Sequence, residues 1–242
     1  MRVLERMAAW LGGGLACLLS MVGPAIAGEA NPPYPDMAPV AQYAMASPGE
    51  EIDLARSAAP PSISAGAEIL VLGPQGYETA VKGQNGFVCL VERSWTAGFE
   101  DPVFWNPQVR GPNCLNPAAA RSVLPHILQR ARWVLSGVSK PEMVSRTKAQ
   151  LAANAYVMPE SGAMSFMMSR RQNLSNAGGH WHPHVMFYVI DPGGAPWGAD
   201  VAGSPVIAGR SDAEPVTVLM VPVAKWSDGT PETMDVKPME MN

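Results

Sequence analysis

Short apolar runs bounded by glycine, proline and asparagine recur along the chain and predict β-strands. The first three are AEILVL from residue 67, YETAVK from residue 77 and FVCLVERSW from residue 87. GPQG and GQNG separate them, and an Asn-Gly pair between two such runs is a strong hairpin signal. The pattern therefore predicts an antiparallel three-stranded meander over residues 67–95.

A helical period replaces the two-residue period in the middle of the chain. Asn116 followed by Pro117 is typical of a helix start, and apolar residues then recur at helical spacing. Pro125 inside this pattern predicts a kink or the true start of the helix. Ser139, with Glu142 three residues later, predicts the cap of a second helix.

Four more strand-like runs follow the two helices. They are GAMSFMMS from residue 162, HVMFYVI from residue 184, SPVIAG from residue 204 and PVTVLMVPV from residue 215. Strands, then helices, then strands is the order of an α+β fold. We therefore predict a single α+β domain over residues 67–242, built on a mostly antiparallel β-sheet with two central helices.

The N-terminus has the features of a cleaved signal peptide. Arg2 and Arg6 precede an apolar stretch over residues 8–22, and GPAIA ends it with small residues. We predict a signal peptide over residues 1–27, and hence a periplasmic or secreted protein. An uncleaved membrane anchor is the alternative.

Residues 28–66 are rich in proline, alanine and serine, a composition that favours extended chain over packed elements. We expect a tether here, ahead of the domain. Ser47 and Glu50 have capping-box spacing around Pro48, which predicts one short helix within the tether.

Charge and hydropathy exclude two classes of partner. The chain has 17 basic and 21 acidic residues, a formal net charge of −4, and it contains no basic run. We therefore expect no nucleic-acid partner, because binding a phosphate backbone needs concentrated positive charge. Apolar runs beyond the signal peptide are far shorter than the roughly 20 residues of a membrane-spanning helix, so no transmembrane segment is expected after cleavage.

The cysteines predict one disulfide. The chain has three, and Cys17 leaves with the signal peptide. Cys89 and Cys114 remain as an even pair, and an exported protein meets an oxidising compartment in which such pairs are usually bonded.

Three of the four histidines, His180, His182 and His184, lie at alternate positions in GHWHPHVMFYVI. Imidazole is a common ligand for zinc and copper, and alternate residues on a strand share one face. The segment therefore predicts a metal site, with zinc or copper as the candidate ions. Further ligands would come from elsewhere in the chain: Glu160, Asp191, Asp200 or a methionine thioether.

The alternative is that these rings are structural, capping a strand end beside Trp181. The other polar residues that stand out have simple interpretations at this point. His126 lies off the apolar stripe of its helix and is expected at the surface. Glu92 and Arg93 adjoin on a strand, face opposite ways, and are expected on a solvated surface.

Two segments resemble the NlpC-type cell-wall cysteine peptidases. ESGAMSFMM is similar to a strand of that family, and HVMFYV is similar to its His-Val-Gly-Ile-Tyr strand. The resemblance implies Cys114 as nucleophile and His184 as base. A disulfide between Cys89 and Cys114 would compete with that role.

A broader resemblance links most of residues 67–230 to an uncharacterised family of exported bacterial proteins. It rests on GFVCLVERSW, FWNPQVRGPNCLNPAAARSVLP, GAMSFMMS, GHWHPHVMFYV and AKWSDG. This resemblance implies a secreted bacterial setting and supplies no activity. Three hypotheses follow: a metal-binding envelope protein, a thiol hydrolase, and a non-enzymatic binding or scaffolding module.

Overall fold

A computed structural model of the chain describes residues 34–176, 181–190 and 194–233. Eight strands lie within these ranges: β1 (Glu68–Gly73), β2 (Gly76–Val81), β3 (Val88–Glu92), β4 (Gly111–Leu115), β5 (Met164–Met167), β6 (His184–Ile190), β7 (Ile207–Ser211) and β8 (Glu214–Pro222). The same ranges hold five α-helices: α1 (Pro48–Arg56), α2 (Pro61–Ser64), α3 (Pro117–Ser122), α4 (Leu124–Leu135) and α5 (Lys140–Ala152). The predicted signal peptide lies outside the described residues.

All eight strands form one sheet in the order β2-β1-β3-β4-β5-β6-β8-β7. Every neighbouring pair is antiparallel except β1 and β3, which run parallel. The predicted α+β class and the mostly antiparallel sheet are thus confirmed. Helices α3, α4 and α5 lie between β4 and β5 in the chain, where the sequence predicted two helices.

The predicted meander over residues 67–95 is wrong in its last step. After β2 the chain crosses the start of β1, where Gln84 N donates to Gly66 O at 2.8 Å, and β3 then pairs on the far side of β1. Gly83 permits this close crossing, because an added Cβ would lie 2.3 Å from the Glu68 nitrogen. The Asn85-Gly86 turn therefore serves a crossover and not a hairpin.

The helix boundaries follow the capping signals in the sequence. Ser47 and Ser139 accept hydrogen bonds from the backbone nitrogens three residues ahead, at the starts of α1 and α5. Asn116 does the same at α3. Pro125 stands in the first turn of α4, after the break that ends α3, so it marks a true helix start as predicted.

The described part of the expected tether, residues 34–66, is folded onto the domain. Tyr43 is fully buried, and the inner face of α1 buries Leu54 and Ala55 against the sheet. Small alanine side chains let this helix approach the strands closely, which the bulk composition of the segment does not reveal. The domain therefore includes residues that the sequence assigned to a linker.

Helices cover both faces of the sheet. Helix α1 packs on β1, β3 and β4, on the face that carries the Cys89–Cys114 disulfide. These two cysteines are directly opposed in the β3–β4 register, which confirms the predicted bond. Helices α3 and α4 pack on the opposite face. No helix within the described residues is long and apolar enough to cross a membrane.

Candidate functional site

The histidine segment is only partly described, because His180 lies outside the described residues. His184 is the first residue of β6 and is 2% exposed. Its Nδ1 lies 2.8 Å from the His182 carbonyl oxygen. A carbonyl only accepts, so Nδ1 carries the proton and the neutral ring keeps its lone pair on Nε2. Burial lowers the pKa of His184 to about 4, which keeps this ring neutral near pH 7.

His182 has a different environment. Its Nδ1 lies 3.3 Å from Oε1 of Glu232, and its side chain is 36% exposed. The Trp181 ring stands edge-on to both imidazoles, with centroid distances of 5.8 Å to His182 and 4.6 Å to His184. The two rings thus make separate local contacts, one to a carboxylate and one to the backbone.

The structure brings no metal ligand set together in the part of the chain that it describes. No group of three His, Cys, Asp or Glu side chains there could hold an ion. Glu160 accepts from Arg121 at 3.0 and 2.6 Å, and Asp200 accepts from the Ala208 nitrogen at 3.1 Å. Asp191 lies outside the described residues, as does His180.

Cys114 and His184 do not face each other. Cys114 is opposite Phe166, which is opposite Val185. Opposed residues share a face and adjacent residues alternate, so His184 points to the other side of the sheet. Cys114 is also bonded to Cys89 and therefore carries no thiol. A hydrolase built on these two residues would need both a reduced cysteine and a different geometry.

A cavity of about 540 Å³ lies on the α3–α4 side of the sheet. Apolar side chains from two strands and one helix supply much of its wall: Met186 on β6, Val216, Val218 and Met220 on β8, and Ile127 on α4. Its volume is in the range of about 300–1,000 Å³ that small-molecule sites occupy. Of the candidate site residues that the structure describes, none lines this cavity.

An ion pair borders the cavity where α4 meets β8. Arg130 Nη2 donates to Oε1 of Glu214 at 2.6 Å, and its Nη1 donates to the carbonyl oxygens of Trp95 at 3.2 Å and Ala97 at 2.8 Å. The guanidinium also lies 4.2 Å from the centroid of the Phe99 ring. Arg130 therefore holds the loop after β3 in place along the cavity edge.

His126 and Tyr156 form a stacked pair in the same wall. Their rings are 4.0 Å apart and 14° from parallel. His126 Nε2 donates to the Val157 carbonyl at 2.7 Å, and burial lowers the pKa of this imidazole. His126 was expected at the surface; it is half-buried, and its ring stacks on Tyr156 in the wall of this cavity.

Glu92 brings a carboxyl group to the cavity from the end of β3. Its Oε1 accepts from Asn113 Nδ2 at 2.8 Å, and its Oε2 lies 3.1 Å from Thr96 Oγ1. Protein surrounds the carboxyl, and this desolvation raises the pKa of Glu92. The same polar cluster includes the Tyr188 hydroxyl, 3.4 Å from Asn113 Nδ2, and burial raises the pKa of that phenol above its ordinary value.

The sequence also predicted a solvated surface position for Glu92 and Arg93, and this prediction is wrong. Arg93 is fully buried on the α1 side, and Glu92 faces the cavity. The opposite orientations followed correctly from strand geometry. The missed signal is that each is a charge at the end of an otherwise buried strand. Arg130 is a similar case: it is a charged residue on the apolar face of α4, three residues after Ile127.

Comparison with known proteins found no matching family model, no matching curated protein and no matching solved structure.

Proposed function

We propose that this protein is an exported binding module that takes a small organic ligand into the cavity between the sheet and helices α3–α4. The observation that carries the proposal is the cavity itself, about 540 Å³ in volume, with apolar walls and a few convergent polar groups. That combination is the usual form of a ligand site. The Cys89–Cys114 disulfide supports an exported protein, since such bonds persist in oxidising compartments.

The wall chemistry favours an apolar ligand body with one polar end. Val216, Val218 and Met220 alternate along β8 and turn three apolar side chains toward the same space. Polar groups are grouped around Glu92 and around the Arg130–Glu214 pair. A ligand with an aromatic or branched aliphatic body would bury its surface on β8 and place its polar end at one of these groups.

Binding of a neutral aromatic probe tests the proposal. We expect 1-naphthylmethanol to bind the protein in isothermal titration calorimetry, and Val218→Phe, which fills the cavity, to weaken binding at least tenfold. Val201→Phe is the matched control, because Val201 is 58% exposed and lies outside the cavity wall. Equal binding by the wild type and Val218→Phe would overturn the assignment of this cavity.

A metal site on the histidine segment is the second candidate. The specific observation in its favour is the Nδ1–H donation of His184 to the His182 carbonyl, the arrangement that commonly orients a metal-bound imidazole. Metal analysis of protein purified without chelators tests it. Stoichiometric zinc or copper, lost in His182→Ala plus His184→Ala, supports this function, and trace content in both proteins removes it.

A further inference from the structure

Two neutral groups hold the Glu92 carboxyl. Asn113 Nδ2 donates to Oε1 at 2.8 Å, and Thr96 Oγ1 donates to Oε2 at 3.1 Å. Thr96 has one hydroxyl hydrogen and a second, nearer acceptor, the Arg93 carbonyl oxygen at 2.8 Å, so the contact with Oε2 competes with that carbonyl for the same hydrogen. Both contacts favour the carboxylate, but burial opposes ionisation more strongly, and the pKa of Glu92 is raised.

Within the part of the chain that the structure describes, a hydrogen-bond acceptor without a partner lies on Asn113, the residue that donates to Glu92. Asn113 Oδ1 is buried and has no hydrogen-bond partner among the described residues. Asn113 Nδ2 is already directed at Glu92 and Tyr188. Once Glu92 ionises, its two oxygens accept only from neutral groups, Asn113 and Thr96. A ligand group that brings several hydrogens and a positive charge would complement this cluster.

The cation that acts on Glu92 has its hydrogen bonds directed to other partners. Arg130 on α4 has its two terminal nitrogens occupied by Glu214 and by backbone carbonyls of the loop after β3. Further along the cavity wall, Glu100 and Asp101 add charge of the same sign as Glu92. Besides Glu100 and Asp101, the charged and titratable groups that act on Glu92 or share its cavity wall are Tyr77, His126, Arg130, Tyr156, Tyr188, Arg210 and Glu214.

We propose that the ligand of this cavity is an organic cation, an amine on an apolar body, whose ammonium group takes the place of the acidic proton on Glu92. This inference rests on the proposed function, because it assumes that the cavity holds a ligand. On binding, the O–H bond of Glu92 breaks, the proton passes to solvent, and the ammonium hydrogens donate to the carboxylate.

Proton release predicts a pH dependence with a definite sign. While Glu92 is protonated in the free protein, each cation bound must displace one proton, so affinity rises with pH. The rise ends when the free carboxyl is ionised. Burial raises the pKa of Glu92, which moves this dependence above the ordinary range of a glutamic acid. A neutral ligand of the same shape has no such requirement.

Three probes with one aromatic body test the class of ligand: 1-naphthylmethylamine, 1-naphthylmethanol and 1-naphthoic acid. We expect the amine to bind at least tenfold more tightly than the alcohol at pH 8, with the difference narrowing toward pH 5. In Glu92→Gln the amine should fall to the level of the alcohol, whose own affinity stays within about twofold. Glu78→Gln removes the same charge from an exposed position outside the cavity wall and should retain the amine preference.

The outcomes separate the two claims. If the alcohol or the acid binds as tightly as the amine and Val218→Phe blocks it, the cavity is a ligand site but the cation assignment is wrong. An amine preference that survives in Glu92→Gln also overturns the assignment. If no probe binds, both claims fail. Circular dichroism and the melting temperature of Glu92→Gln establish that the variant is folded.

Discussion

Glu51 and Arg93 form a buried ion pair that fastens helix α1 to the sheet. Oε1 of Glu51 lies 2.9 Å from Nη2 of Arg93, with side chains 4% and 0% exposed. The same oxygen accepts from the Leu72 nitrogen at 3.1 Å, and Arg93 Nε donates to the Tyr43 carbonyl at 2.7 Å. A segment that the sequence presents as a linker is thereby tied to β1 and β3.

Breaking this pair should be costly. Glu51→Ala leaves a guanidinium buried without its counter-charge, and we expect the free energy of unfolding to fall by about 3–5 kcal/mol. The measurement is urea denaturation followed by fluorescence. Glu160→Ala is the control, since the Arg121–Glu160 pair is solvent-exposed and exposed pairs contribute little.

A double-mutant cycle adds a second criterion. Arg93→Met removes the other charge, so Glu51→Ala and Arg93→Met together should cost clearly less than the sum of the two single changes. Additive costs would mean that the two side chains do not interact as the structure has them.

The Cys89–Cys114 disulfide should stabilise the protein by restricting the unfolded chain. Cys89 and Cys114 are 25 residues apart, and the chain-entropy treatment values closure of such a loop at about 3.5 kcal/mol. Cys89→Ala plus Cys114→Ala should lower the free energy of unfolding by roughly that amount. Reductant should destabilise the wild type and leave the double variant unaffected.

Thiol titration of the same wild-type protein, with the signal peptide removed and without reductant, gives an independent check. We expect no reactive thiol even in denaturant. One or two free thiols would contradict the bond and would reopen the role of Cys114 as a nucleophile.

Burial of His184 should make the protein sensitive to acid. Its folded-state pKa is lowered to about 4 by desolvation, below the ordinary value of about 6.5. The stability that neutral His184 contributes is therefore fully present above about pH 6.5 and is lost as pH falls through the folded pKa. By linkage, this pKa shift corresponds to roughly 3 kcal/mol of the free energy of unfolding.

His184→Gln isolates this effect. In protein treated with chelator, the difference in unfolding free energy between wild type and His184→Gln should shrink by roughly 3 kcal/mol between pH 7 and pH 4. Parallel pH profiles for the two proteins would show that His184 is solvated in the native state. Because the carboxylates titrate in both proteins, their effect on the unfolding free energy cancels in this difference.

Local signals in the sequence predicted local structure well. The N-caps at Ser47, Asn116 and Ser139 are side-chain hydrogen bonds to backbone three residues away, so nothing distant is needed to read them. The two-residue period likewise predicted the strands and the opposite orientations of Glu92 and Arg93. These features depend on neighbours along the chain.

The features that the sequence did not predict depend on distant partners. The Asn85-Gly86 turn is compatible with either side of β1, and the close passage of Gly83 over Glu68 decides between them. The cavity also depends on residues that are distant in sequence, because Glu92, His126 and Glu214 come from separate parts of the chain. Conversely, the histidine cluster was conspicuous in the sequence because its members lie within five residues of one another. Closeness along the chain does not make side chains converge on one point in space.

Glu92 should limit stability at high pH even when no ligand is present. Burial raises the pKa of its carboxyl in the folded protein, so between the unfolded and folded pKa values the native state binds the extra proton. The stability that the protonated Glu92 carboxyl contributes is therefore fully present below the unfolded pKa and is lost as pH rises through the folded pKa.

Glu92→Gln tests this, because it keeps a neutral side chain of the same shape at every pH. Its melting temperature should therefore exceed that of the wild type increasingly as pH rises from 5 to 9, while Glu100→Gln follows the wild type. A wild-type protein that gains stability relative to Glu92→Gln over this range would show that the carboxylate, and not the acid, is the form that the fold prefers.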